Sequence, residues 1–409
     1  MKTYISYSLL YLFFFSNIGI ANNDNCAFND ESITPAQTKN AVKIDSSGNL
    51  IYTDIIGVND DISIVLKGTN YRLSNTAVAL TAGNKIKQDG NAVLVSITSV
   101  TGKIVINTEG GDDTFTVDFS GGNIKNEIIY NGGGQNTPTG DDMVLVGANH
   151  VVYDTVTHTF VNNSDGFVDI TENNRISYIG LEPITDNMNA ANRVFTFTGN
   201  LANTEEITLE AGGTLGNRID SNYGESVDFT RPTNSLTINT TGFGDDILEI
   251  KGLSLGNADL TVNGGDGDEI RFSNNAISLG GGKLNLTGHE IHFLRNVSAN
   301  TITTTSRSVT AIESASVTAT NGSLTMSAGT VVPPIDGVNT DTGGLYMNFG
   351  IIETRNSHDI NINATTYAAR NIINQSSLAG FSMENSSIIT RFGDITITGS
   401  GIDLSLIHI

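Results

Sequence analysis

The residues of this chain with types and spacing suited to chemistry are aspartates that follow glycines. In "TTGFGDDILEI", Gly242, Gly244, Asp246 and Leu248 take the second, fourth, sixth and eighth places of the nonapeptide G-G-x-G-x-D-x-(apolar)-x. In that motif, carbonyls and Asp carboxylates from successive turns surround one calcium ion. Thr241 departs at the first place. In "TEGGDDTFTV", Gly111, Asp113 and Phe115 match, and Glu109 departs at the second place. "NGGDGDEIRF" fits neither register: with Asp268 in the Asp place, Asp266 stands where glycine belongs. Asp113, Asp246 and Asp268 are therefore the candidate Ca2+ ligands. The calcium motif works as nonapeptides stacked back to back, whereas each phrase here stands alone in a longer unit. A corner explains the same residues and is preferred, with Gly supplying positive φ and Asp capping backbone N–H groups. Stacked corners would align Asp246 with Asp268 as a weak calcium pair.

Other chemistry is thinner. "GHEIHF" offers His289, Glu290 and His292. Two histidines three apart on a strand point to opposite faces, which argues against a shared zinc ion. No G-x-S-x-G nucleophile elbow occurs, and Cys26 is the single cysteine. Asp245, Asp246, Asp266 and Asp268 could serve as the carboxylates of a polysaccharide-acting β-helix enzyme, the alternative to a non-enzymatic protein. Turn acids are commoner, so no catalytic residue is assigned.

The elements that must position these residues recur at a fixed interval. "SLTINTTG", "DLTVNGGD" and "KLNLTGHE" set Leu236, Leu260 and Leu284 each 24 residues apart. "KIVINTEGG" and "EIIYNGGGQ" repeat that interval from Lys103 to Glu127. Short second strands follow each phrase at Ile247–Lys251, Ile270–Phe272 and Ile291–Phe293. A period in the twenties with alternating strands and Gly/Asn/Asp corners predicts an all-β, mostly parallel β-solenoid with coils of about 24 residues. Tandem β-sandwich domains are the alternative. Period-two alternation sends Leu236, Ile238, Leu260, Val262, Leu284 and Leu286 inward, and Thr237, Thr261 and Asn285 outward. A longer repeat overlies the short one: Asn107 and Asn131 reappear 132 residues later as Asn239 and Asn263.

Composition agrees with a strand-and-turn chain. Of 409 residues, 44 are Gly, 6 are Pro and none is Trp, and only 16% are charged. The net charge of −22 repels nucleic acid. "MKTYISYSLLYLFFFSNIGIA" reads as a secretory signal ending at Ala21, its apolar run too short to be a membrane anchor. The expected organisation is a signal peptide at 1–21, a leader or cap at 22–43, and a first repeat block at 44–180. A junction at 181–193, a second block at 194–300 and Ser/Thr/Asn-rich coils at 301–403 follow. Gln135–Gly140 and Val331–Gly344 are expected as protruding loops. The closing "LSLIHI", Leu404–Ile409, resembles a translated sequencing adapter, so the chain is expected to be a piece of a longer protein.

The "INT.G.GDD.L.I" and "VNGG.GDEI" phrases, the "GLEPI" junction and the Ser/Thr/Asn-rich coils resemble the large repetitive secreted proteins of Gram-negative bacteria. The tail is similar to filamentous-haemagglutinin-type adhesin repeats, and the Gly-Asp phrases are similar to degenerate haemolysin-type repeats. The resemblance implies a secreted or cell-surface adhesin or stalk and brings no catalytic residues. Its implied partner is an extracellular glycan or a surface protein. No transmembrane helix is expected, and open solenoid ends would allow self-association.

Overall fold

The computed structural model describes residues 40–54, 57–137, 140–198, 204–240, 244–253, 255–329, 344–365, 380–399, 402–404 and 407–408. The segment 1–21 that the sequence reads as a signal, Cys26, Gly242 and most of Val331–Gly344 lie outside these residues. The part from residue 39 onward is a single compact unit. It is an all-β solenoid, and among the described residues the only helical turn is Ile97–Ser99. No helix among them is long and apolar enough to cross a membrane.

Stacked alternating strands build the core. In the first sheet, Leu236, Leu260, Leu284, Ile302, Leu324, Ile360 and Ile395 lie one above another in parallel register. In the second, Ile207, Leu248, Ile270, Ile291, Thr310, Leu345 and Phe381 do the same. The inward residues expected from sequence, Leu236, Ile238, Leu260, Val262, Leu284 and Leu286, are all buried. Each coil thus covers the apolar row of its neighbour. The 24-residue interval holds from Ile104 to Ile128 and from Leu236 through Leu284. Leu284 to Ile302 then takes 18 residues and Ile302 to Leu324 takes 22. From Ile277 onward a third parallel sheet forms from Ile277–Ser278, Val297–Ala299, Ser316–Ala319, Ile351–Thr354, Ser386–Thr390 and Ile407–His408.

Three antiparallel meanders interrupt the coils without breaking the sheets. Tyr153–Phe160, Gly166–Ile170 and Ile176–Ile179 enter the first sheet. Glu206–Glu210, Asn217–Ser221 and Gly224–Phe229 enter the second. Each runs backwards. Its first strand pairs with the following coil and its last with the preceding one. The third, Asp61–Lys67, Asn70–Asn75 and Ala92–Ser96, extends the second sheet at its N-terminal end. Residues 181–193, which read as a junction in the sequence, contribute Ile184–Asn187 to the second sheet and part of Ala190–Phe197 to the first.

Where the meanders meet, the interior is ionic. Asp186 Oδ2 accepts hydrogen bonds from His158 Nε2 at 3.0 Å and from Arg193 Nη1, and all three side chains are fully buried. Arg193 also donates to the Thr230 carbonyl (2.8 Å) and hydroxyl (2.7 Å). Burial pushes the Asp186 carboxyl up, but Arg193 and His158 outweigh it and hold it at about 2.

Candidate functional site

The glycine-aspartate phrases fold as corners between the first and second sheets. Gly111, Gly244 and Gly267 take φ of +151°, +132° and +130°, which glycine alone adopts without strain. A Cβ on Gly267 would lie 2.1 Å from Asp245 Oδ1. Behind each turn one aspartate enters the interior and caps the coil before it. Asp268 Oδ1 accepts the Asp246 N–H at 3.1 Å, and Asp246 Oδ1 accepts the Glu205 N–H at 3.1 Å. Asp268 Oδ2 also accepts from the Thr240 hydroxyl and the Gly265 N–H, both at 2.6 Å. Asp113 belongs to a second, separate column. Its Oδ1 accepts the Asp60 N–H at 2.6 Å, while its own N–H donates to Asp141 Oδ1 at 3.0 Å. The structure therefore joins Asp246 with Asp268 and places Asp113 apart from both.

The columns hold register while the corner lengths change. Asn131 Nδ2 donates to Asn107 Oδ1, and Asn263 Nδ2 to Asn239 Oδ1 at 2.8 Å, each pair 24 residues apart. The linked aspartates are 28 apart in one column and 22 in the other. "NGGDGDEIRF" fails the nonapeptide register because its corner is shorter, yet its Asp268 still reaches the stack.

These carboxyls are buried and crowded. Burial pushes Asp113 up to about 7, and Asp141 and Asp60 add to the rise. Burial likewise takes Asp246 to about 6, helped by Asp268 and Asp245. Asp60, Asp141 and Glu205 shift upward for the same first cause. Asp246 Oδ1 and both Asp268 oxygens already accept hydrogen bonds from protein N–H and O–H groups, so the column favours the capping role. Asp112, Asp245 and Asp266 face outward. Asp112 Oδ1 accepts the N–H groups of Asn136 and Thr137 at 2.9 and 3.0 Å and ties down the start of the Gln135–Gly140 loop. Of the four carboxylates available to a polysaccharide-acting enzyme, Asp246 and Asp268 are buried against backbone, leaving Asp245 and Asp266 at the surface.

A second constellation was only partly legible in the sequence, which offered Glu290 and His292 but not Glu269. Glu269–Phe272 and Glu290–Phe293 are adjacent strands of the second sheet, pairing Glu269 with Glu290 and Arg271 with His292. Their inward residues Ile270, Phe272, Ile291 and Phe293 are buried, and the two Phe rings stack at 5.1 Å. On the outer face, His292 Nε2 lies 3.1 Å from Glu290 Oε2 and 3.4 Å from Glu269 Oε1. Arg271 clasps Glu269 through Nε and Nη2. The hydrogen bond to Glu290 raises the His292 pKa against the opposing effect of burial, and Glu269, Glu290 and Glu313 add to the rise. His289 sits at the corner before the strand rather than on it. The partner of His292 is thus Glu290, two residues away, and Glu269, one coil back. The signal available in sequence was the alternation E-x-R-x beside E-x-H-x.

No protein family, curated protein or solved structure matches the chain.

Proposed function

We propose that this chain is an exported bacterial surface or extracellular protein that acts as an adhesive stalk, holding loops away from the cell to engage a glycan or a surface protein. The observation that supports this most is where length varies. The coil stack keeps its register, while the connections from first to second sheet range widely. His289 alone joins Leu284–Gly288 to Glu290–Phe293, whereas residues 329–343 join Leu324–Ala328 to Gly344–Asn348, and residues 365–380 join Ile360–Ala364 to Phe381–Glu384. The Gln135–Gly140 extension issues from the same kind of corner. A rigid scaffold carrying length-variable loops is the usual arrangement for recognition.

The test is a glycan array and a surface-protein panel, with a polysaccharide depolymerisation assay on the same glycans. Binding without turnover is expected, and replacing residues 331–342 by a Gly-Ser linker should weaken binding at least tenfold without moving the melting temperature. Release of new reducing ends would favour the enzyme alternative. Absence of binding on both panels would remove the adhesive role.

A further inference from the structure

We propose that Glu269, Glu290 and His292 form a binding site for one zinc-class divalent transition-metal ion on the outer face of the second sheet. One imidazole nitrogen and two carboxylate oxygens lie within 4.8 Å of one another. Around zinc, with bonds of roughly 2.0–2.2 Å, tetrahedral ligands stand about 3.3–3.5 Å apart. The distances of 3.1 and 3.4 Å from His292 Nε2 to the two carboxylates already have that size. The Glu269 and Glu290 oxygens, within 4.8 Å of each other, would draw together around the ion.

Donor chemistry sets the class of metal. A hard cation such as calcium calls for six to eight oxygens, whereas one imidazole with two carboxylates suits zinc and its neighbours. Three protein ligands leave a fourth position for water. The surroundings resemble the support that metal ligands need. Arg271 fixes the Glu269 carboxylate through two hydrogen bonds, as outer partners orient ligands elsewhere. The backbone beneath is held by the register of two parallel strands over the Phe272–Phe293 stack. The ligands are partly sheltered, with side-chain exposures of 18% for Glu269, 30% for Glu290 and 23% for His292. Without metal the same groups form a hydrogen-bonded ion cluster, and zinc takes the place of the shared proton.

The experiment is calorimetric titration of ZnCl2 into tag-free, chelator-stripped protein, paired with a cobalt(II) titration followed by visible absorption. One equivalent of zinc should bind with micromolar Kd, and cobalt should give the d–d bands of a four-coordinate site. His292→Gln and Glu290→Gln should each weaken binding at least tenfold while leaving the far-UV circular dichroism unchanged, because both side chains face outward. His150→Gln should bind as wild type, and excess calcium should not compete. Failure to observe saturable one-equivalent binding, or zinc affinity unchanged in His292→Gln, would overturn the site and leave an ion cluster only.

Discussion

A single buried oxygen decides what each corner aspartate does. Asp246 Oδ1 satisfies the Glu205 N–H, so Asp246→Ala leaves a buried donor without its acceptor and should cost about 1–3 kcal/mol. Asp246→Asn keeps an acceptor in place and removes the titrating proton. Its effect therefore depends on pH. Asp113 and Asp246 have folded pKa values of about 7 and about 6, above the unfolded value near 4. Between those limits the folded chain holds more protons, so their contribution is full below about pH 4 and is lost as pH rises through 6 and 7. Asp186, held at about 2, works in the other direction and loses its contribution as pH falls from about 4 through 2. The melting temperature should peak near pH 4–5 and decline toward pH 8, and the decline should be shallower in Asp246→Asn. A melting temperature that climbs from pH 5 to 8 would contradict this balance. Calcium at pH 7 should leave it unmoved; a rise abolished by Asp246→Asn would instead mark a calcium site. Asp246 and Asp268 were legible because glycine and aspartate announce a corner whatever its length. The His158–Asp186–Arg193 centre was not, because its members come from separate strands brought together by a meander that no local pattern announces.

At the scale of the element, alternation and period decided the result for the regular coils. Leu260 lies between Leu236 and Leu284 and is fully buried. Leu260→Ala should cost about 2–5 kcal/mol, since both neighbouring coils prevent the cavity from collapsing. The outward Thr261→Ala should cost far less, and chemical denaturation of the two variants compares them directly. Equal losses would mean that the faces are assigned wrongly. The antiparallel meanders were invisible in sequence because their strands alternate just as the parallel ones do. Glu206–Glu210 and Ser235–Thr240 share the same inward-outward rhythm, although one pairs antiparallel with its successor and the other only with parallel neighbours. The part of Glu269 in the proposed zinc-class cluster was hidden for a related reason. Glu269 and Glu290 stand side by side only because the corners between them shortened the coil below 24 residues.

On the scale of the whole molecule, strands lie across the direction in which coils accumulate, and each coil is bonded only to the one before and the one after. The coils are also unequal in length. Tension applied along the stack therefore loads one boundary between coils at a time, with its two or three ladders, and strands peel rather than slide. Each rupture frees a contour length set by the residues in that coil, at about 3.4 Å per residue. The coil from Leu260 to Leu284 would release about 80 Å and the coil from Leu284 to Ile302 about 60 Å. Pulling a single molecule from its two ends should give a sawtooth of unequal steps, reaching about 120 Å for the coil from Leu324 to Ile360 and about 180 Å for that from Leu50 to Ile104. One cooperative rupture of the entire described unit would show that the coils do not fail independently. A stack built this way lengthens by instalments under load, and dissipates the work coil by coil instead of failing all at once.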